Sequence, residues 1–155
     1  MKNKQSGVAL IEFALVLPLL LILTFITTEL GRALYQYNTL TKSVRDAARY
    51  LSVQIPSTKI TESKNLVVYG SLSVTGQPLA SGLTIGQVKD PVWALRGSNP
   101  VIRTVTVEIA GCAKVDPLAP PVPCYKFVSL VDGVFGVKLG IINYADISAT
   151  MRAPL

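Results

Sequence analysis

The first 55 residues carry two hydrophobic patterns in succession. Over residues 8–26 the only strongly polar side chain is that of Glu12, and at the helical rise this run spans about 28 Å, close to the ~30 Å hydrocarbon core of a bilayer. Beyond it, apolar residues recur at intervals of three and four, which is typical of an amphipathic helix. These residues are Leu30, Ala33, Leu34, Tyr37, Leu40, Val44, Ala47, Ala48 and Leu51. The two patterns predict one helix of roughly 40 to 45 residues, with a membrane-spanning half at 8–26 and an amphipathic half at 27–55.

From residue 58 the pattern changes to short apolar runs separated by Gly, Ser and Pro, which predicts strands and turns. The predicted strands cover residues 65–74, with a bulge or kink at Gly70, residues 101–110, and an antiparallel return that begins at Cys124. A last strand is predicted at 141–152, after one or two possible helical turns in 131–140, and residues 86–97 are predicted to be irregular. The fold class is therefore α+β, with three or four antiparallel strands on the outer half of the helix and a β-rich domain over residues 58–155.

Charge predicts the orientation of the membrane segment. Lys2 and Lys4 precede the apolar run without an acidic neighbour, so the positive-inside rule places the N-terminus in the cytoplasm and the following domain outside. Glu29 and Arg32, just beyond the run, reduce this contrast. Half of the residues are apolar and only 15% are charged, which excludes a disordered chain.

Two cysteines, Cys112 and Cys124, flank a proline-rich segment that is predicted to be a loop. A disulfide there would close a ring of about 13 residues and stabilise the fold by about 3 kcal/mol, and it would persist only in an oxidising compartment. Two unpaired buried thiols are the alternative, because sequence spacing does not show that the Cα atoms come close enough for a bridge.

Glu12 is unusual because a charged carboxylate costs about 2.5 to 3.5 kcal/mol at the centre of a bilayer, and less near its surface. Two interpretations are open: Glu12 extends to the headgroups and has no function, or it has a partner. Its surroundings favour a partner: Gly7 stands directly before the run, after a short basic leader, Glu12 is the fifth residue counted from Val8, and Phe13 follows it.

These residues resemble a known processing site. The stretch "SGVALIEF" is similar to that of type IV prepilin-like proteins, and residues 7–52 resemble the TadE-like family, the minor pseudopilins of tight-adherence (Flp) pili. The similarity is carried by "EFALVLP", "ELGRALY" and "VRDAARY", and "DISATMRAP" resembles the family's terminal strand.

The resemblance implies a pilin-like fold and a leader at residues 1–7 that a membrane-embedded prepilin peptidase removes between Gly7 and Val8. Glu12 and Phe13 would belong to the recognition site. Major pilins of this system usually have Glu-Tyr there, so Glu12-Phe13 favours a minor subunit. The new cationic amine of Val8, on a neighbouring subunit, would pair with Glu12 in a low-dielectric setting.

The implied partners are the inner membrane, the prepilin peptidase, the major Flp pilin, a partner minor pseudopilin and the pilus assembly platform. The implied location is the bacterial inner membrane, with a periplasmic domain and incorporation into an extracellular pilus.

Pro18 lacks a donor for the carbonyl of Ala14. It either causes a harmless bend or provides a compliant point that helps assembly when a subunit leaves the bilayer.

Other chemistry is sparse. The chain has no histidine, the usual general base and commonest metal ligand, its cysteine spacing fits no zinc motif, and it has no phosphate-binding glycine loop. We therefore expect no enzyme activity, cofactor or metal.

Lys42, Arg45 and Arg49 share a helix face, but Lys42 would lie about 24 Å above the hydrocarbon edge, about three Debye lengths away. A solvated face or subunit contacts are favoured over lipid or nucleic acid.

Two other functions stay open. One is an uncleaved single-pass membrane protein that presents an extracytoplasmic binding domain. The other is a secreted domain released by signal cleavage after Gly31-Arg32-Ala33, which is disfavoured because the apolar run is longer than a signal-peptide core of about 7 to 15 residues.

Overall fold

The first element of the chain is a helix of 47 residues. The computed structural model describes residues 6–114, 123–130 and 140–154, and in it helix α1 extends over Ser6–Ser52. At 1.5 Å per residue it is about 70 Å long, and it continues through Pro18. The prediction that the membrane run and the amphipathic stripe form one helix is confirmed.

A second helix, α2, covers Ile60–Tyr69, so the prediction of a strand over residues 65–74 is wrong. A short apolar run such as "NLVVY" does not by itself distinguish a strand from a buried helix. Here Ser63, Val67 and Val68 are buried and α2 packs on α1. Gly70, predicted as a bulge, instead ends the helix in a left-handed conformation (φ 69°), where its N–H donates to the carbonyl of Leu66. That conformation is the usual C-terminal cap for glycine.

The described residues that follow contain five strands, in two antiparallel sheets. They are β1 (Val92–Arg96), β2 (Ile102–Ile109), β3 (Lys126–Val128), β4 (Ile141–Asn143) and β5 (Ile147–Ala153). The first sheet has the order β1-β2-β5 and the second joins β3 to β4. In the central strand, Val105 lies opposite Trp93 on one side and Met151 on the other.

The pairing differs from the prediction at three places. Strand β2 is flanked by β1 and β5, so the predicted antiparallel return from Cys124 is wrong. The segment at Tyr125 instead forms a parallel bridge with Gly111, just after β2. Strand β1 lies in a segment predicted to be irregular. The single strand predicted over residues 141–152 is two strands, because Tyr144 and Asp146 leave the strand path to bond with α1 and with Gly111.

The described residues contain one main core, between the outer half of α1, helix α2 and the first sheet. Helix α1 contributes Leu40, Val44, Ala47, Ala48 and Leu51 to it. Three members of the predicted stripe nearer the membrane, Leu30, Leu34 and Tyr37, are exposed. The architecture confirms the α+β fold with a small antiparallel sheet. The helical turns predicted for 131–140 lie outside the described residues except at Gly140.

Candidate functional site

The predicted processing site lies at the very start of α1. The helix begins at Ser6, so the peptide bond between Gly7 and Val8 lies in its first turn, where backbone N–H groups have no acceptor within the helix. A Cβ atom added to Gly7 would meet nothing within 4 Å, and Val8 is exposed. The bond is therefore not covered by the rest of the described chain. Residues 1–5 of the predicted leader lie outside the described residues.

Glu12 and Phe13 follow on the same uncovered helix, and both are exposed. Glu12 lies four residues after Val8, a spacing that puts the two on one helix face. Within the described residues no side chain forms a hydrogen bond or ion pair with Glu12. Whatever neutralises this carboxylate in an apolar environment must come from outside the part of the chain described.

The inner half of α1 has the length and composition of a membrane span. Its most apolar 18-residue window has a mean hydropathy of 2.6, and none of that window is buried against the protein. Near its end the hydroxyls of Thr24, Thr27 and Thr28 donate to helix carbonyls at 2.8 to 3.0 Å. These hydroxyls need no water, so they are compatible with an apolar surrounding.

Just beyond the span, Glu29 and Arg32 form an ion pair that attaches the second sheet to the helix; we call them the junction pair. Arg32 Nη2 lies 2.9 Å from Glu29 Oε2 and donates to the carbonyl oxygen of Val128 at 2.8 Å. Its guanidinium stacks 4.7 Å above the ring of Phe127. Glu29 is only 6% exposed and accepts a hydrogen bond from the N–H of Leu130.

In the sequence, Glu29 and Arg32 bear only on the orientation of the membrane segment. A Glu and an Arg three residues apart share a helix face, which was the available signal that they act together. Their partners, Val128 in β3 and Leu130 just after it, lie 96 and 101 residues further along the chain, so the spacing alone did not show what they hold.

Two tyrosines attach the same region to the helix slightly higher up. The hydroxyl of Tyr125 donates to Gln36 Oε1 at 2.9 Å, and that of Tyr144 donates to the carbonyl of Ala33 at 2.8 Å. Their rings stack with centroids 5.8 Å apart. Burial raises the pKa of Tyr125 to about 12, and it also raises the pKa of Tyr144.

The predicted disulfide is present, since Cys112 and Cys124 are bonded with their Cα atoms 5.1 Å apart. It connects the segment after β2 to the segment before β3. The carbonyl of Cys124 also accepts a hydrogen bond from Gln87 Nε2 at 3.1 Å. The disulfide and this hydrogen bond therefore fix the start of β3 to the end of the first sheet.

The basic residues of the amphipathic half of α1 form a separate surface. Lys42, Arg45 and Arg49 are exposed, on the side of α1 away from the core residues Leu40 and Val44, as the spacing predicts. Among residues 6–114, 123–130 and 140–154, no three His, Cys, Asp or Glu side chains form a group suited to a metal ion.

Comparison with known proteins adds one match, to the family model described as TadE-like protein, over residues 7–49. The matched region starts at Gly7 and contains Glu12, Phe13, Pro18 and the junction pair. No curated protein and no solved structure matches the chain significantly. Over residues 7–49 the chain is therefore similar to the TadE-like family, which supports the resemblance seen in its sequence, and together with its uncovered apolar helix this fits a membrane protein associated with a Tad pilus.

Proposed function

We propose that this protein is a minor pseudopilin of a tight-adherence (Flp, type IVb) pilus. In this proposal prepilin peptidase removes residues 1–7, residues 8–26 span the inner membrane, and the domain over residues 58–155 lies in the periplasm. The mature chain then enters the pilus as a structural subunit that serves assembly and adhesion. The supporting observation is that the TadE-like match begins at Gly7, on a helix half that the protein's own domain leaves uncovered.

Glu12 has a physical role in this scheme. Cleavage creates a cationic α-amine on Val8, and a carboxylate attracts such a charge far more strongly in a low-dielectric setting than in water. An unpaired carboxylate in the bilayer is costly, so pairing with the amine of a neighbouring subunit removes two unfavourable charges together. Because the pair forms at only one relative height of the two helices, it also sets their axial register.

Pro18 belongs to the same scheme as a compliant point. It cannot donate to the carbonyl of Ala14, so one helical hydrogen bond is missing in the middle of the span. A helix weakened there repacks more easily when the subunit moves from lipid to the interior of a fibre.

The contacts of Ala33 count against release of a secreted domain. Ala33 is buried and its carbonyl accepts the hydroxyl of Tyr144. Cleavage after Ala33 would also separate the junction pair from the second sheet that it holds. A signal peptidase cut at this position would remove part of the folded structure.

Mass spectrometry of the protein purified from membranes tests the processing step. We expect a mature N-terminus at Val8. A chain that starts at Met1 would instead support an uncleaved single-pass protein that presents a binding domain, and a chain that starts at Leu34 would support the secreted domain.

A pair of variants tests the role of Glu12. We expect Glu12→Ala to be cleaved normally but to abolish pilus formation, since the amine of Val8 loses its partner. Leu15→Ala is the matched control, because Leu15 is exposed on the same helix three residues later; it should form pili. Normal piliation with Glu12→Ala would remove the assembly role. Co-purification with the major pilin and the partner pseudopilin tests the predicted partners.

A further inference from the structure

The second sheet descends along α1 toward the membrane. Tyr125 contacts Gln36 at 2.9 Å, the carbonyl of Val128 contacts Arg32 at 2.8 Å, and the N–H of Leu130 contacts Glu29 at 3.4 Å. From Tyr125 to Leu130, successive residues thus contact α1 at positions closer to the membrane span. The chain at Leu130 lies beside the helix just after the span.

The rise per residue of α1 gives the height of each contact above the hydrocarbon core of the membrane. Glu29 is three residues beyond Ile26, which places it about 4 to 5 Å above the edge of the hydrocarbon core when the helix stands upright. The headgroup layer on each side of a bilayer is about 5 to 7 Å thick. Leu130, beside Glu29, therefore lies within this layer. Arg32 Nη2 contacts both Glu29 Oε2, at 2.9 Å, and the carbonyl oxygen of Val128, at 2.8 Å, so Val128 lies next to the same carboxylate.

The same ribbon of β3 and β4 exposes apolar side chains at this level. Phe127 is buried against the helix, whereas Val128 is 60%, Leu130 79% and Ile141 52% exposed. Val128 and Ile141 are opposite each other in the register of the two strands, so they form one patch. Apolar side chains in water are unfavourable, and a patch of them marks a contact surface.

We propose that this patch, made of Val128, Leu130 and Ile141, inserts into the headgroup layer of the membrane that α1 spans. The membrane is favoured as the contact of this patch because the apolar surface of the span continues to it. Ile26 and Leu30 line a cleft of about 120 Å³ with Phe127 and Ile142, so apolar surface continues from the end of the span to the ribbon.

The charges around the patch suit such a position. Lys126 is exposed on the same ribbon, two residues before Val128, whereas the charge of Arg32 beside Val128 is already paired with Glu29. Long basic side chains near a bilayer surface place their charge among the headgroups while their stems contact apolar groups. The ribbon thus has the composition of an interfacial segment. With α1 it gives the domain two points of attachment, which restrict its tilt and rotation above the membrane.

This inference rests on the membrane span of the proposed function, but not on cleavage or pilus assembly. It is tested on the full-length protein in vesicles of phosphatidylcholine and phosphatidylglycerol, with the native disulfide intact. Leu130→Cys carries an environment-sensitive fluorophore, and a fraction of the lipid carries a spin-label quencher close to the headgroup. We expect the label at residue 130 to lose most of its emission.

Two matched sites make the result decisive. Leu95→Cys is the control for exposed apolar positions: Leu95 is 66% exposed and lies opposite Arg103, at the end of β2 farthest from the ribbon. Its label should keep its emission. Leu15→Cys reports the span, and its label should be quenched by lipid that carries the spin label deep in the acyl chain.

Each other outcome overturns a defined statement. If the label at residue 15 is quenched while those at residues 130 and 95 behave alike, the ribbon contact is wrong and the span stands. A blue shift at residue 130 without quenching would show that a protein neighbour covers the patch, and it would also overturn the lipid contact. If the label at residue 15 is not quenched, the span itself fails, and the proposed function fails with it.

Discussion

Tyr144 donates its hydroxyl hydrogen to the carbonyl oxygen of Ala33, 2.8 Å away, across 111 residues of sequence. This carbonyl belongs to α1, and the bond holds the segment between β4 and β5 to the helix. The neighbouring attachments are also polar, since Tyr125 bonds to Gln36 and Arg32 bonds to Val128. The membrane-proximal end of the domain is thus held by specific hydrogen bonds, whereas its far end is held by the apolar core.

The junction pair provides the first test of whether hydrogen bonds hold this end of the domain. We expect Arg32→Ala to lower the free energy of unfolding by about 2 kcal/mol, because it removes a charged donor and leaves the buried carboxylate of Glu29 without its cation. Unfolding of the full chain in detergent can be followed by the fluorescence of Trp93, the only tryptophan. Arg49→Ala, on the exposed face of the same helix, should change stability by less than about 0.5 kcal/mol. Equal effects of the two variants would contradict the role of the junction pair.

Two glycines should respond to alanine in opposite directions. A Cβ atom on Gly111 would lie 2.3 Å from the carbonyl oxygen of Tyr144 and 2.4 Å from the carbonyl carbon of Ala145. Both are main-chain atoms, so Gly111→Ala should destabilise the fold by about 3 kcal/mol. A Cβ atom on Gly31 meets nothing within 4 Å, and Gly31→Ala should stabilise the helix by up to about 1 kcal/mol. Parallel unfolding curves of the two variants measure both effects.

The disulfide should contribute to stability through the loop it closes. Replacement of both Cys112 and Cys124 by alanine should cost about 3 kcal/mol, because the unfolded chain is no longer restricted by a ring. Addition of a reductant to the unmodified protein should lower its stability by a similar amount and leave the double variant unaffected. A reductant effect on the double variant would show that the loss arises elsewhere.

The fold should lose stability in alkali because of Tyr125. The ordinary pKa of 10.0 is raised to about 12 by burial in the folded state. Between these values the folded chain holds a proton that the unfolded chain has released, so the stabilisation is complete below the lower value and falls as pH rises toward the higher one. Tyr144 acts in the same direction. We expect a loss of up to about 2 kcal/mol across this range.

Tyr125→Phe is the control for that titration. It removes the hydrogen bond to Gln36 and should cost about 1 kcal/mol at neutral pH, but its stability should fall less steeply in alkali. Lys89, whose pKa is raised by its hydrogen bond to Glu108, loses its charge in both proteins, so the difference between them isolates the tyrosine. Equal alkaline slopes would contradict the assignment.

The parts of this structure that the sequence predicted are those set by local pattern. Helix α1 carries a long periodic signal, and Gly7, Val8, Glu12 and Phe13 lie close together along one helix, so their relative placement needs no tertiary information. The disulfide was a possibility because its two cysteines are only 12 residues apart.

The parts that were missed depend on distant partners. Strand β2 pairs with β5 rather than with the nearer segment after Cys124, and the attachment of Glu29 to Leu130 joins residues 101 positions apart. Helix α2 was mistaken for a strand because a run of apolar residues buried on several sides loses its period. The pairing of strands, and whether a short apolar run forms a helix or a strand, depend on which surfaces pack together in the core.

The packing of β5 on α1 also constrains how the chain is made. If the domain is exported as proposed, the outer half of α1 crosses the membrane before β5, and its face bearing Leu40, Val44 and Leu51 remains exposed until β5 has crossed as well. Contacts this distant in sequence form slowly and leave apolar surface open to association in the meantime. With the proposed topology, the nascent protein therefore needs either rapid completion of translocation or a periplasmic chaperone that shields this face of α1.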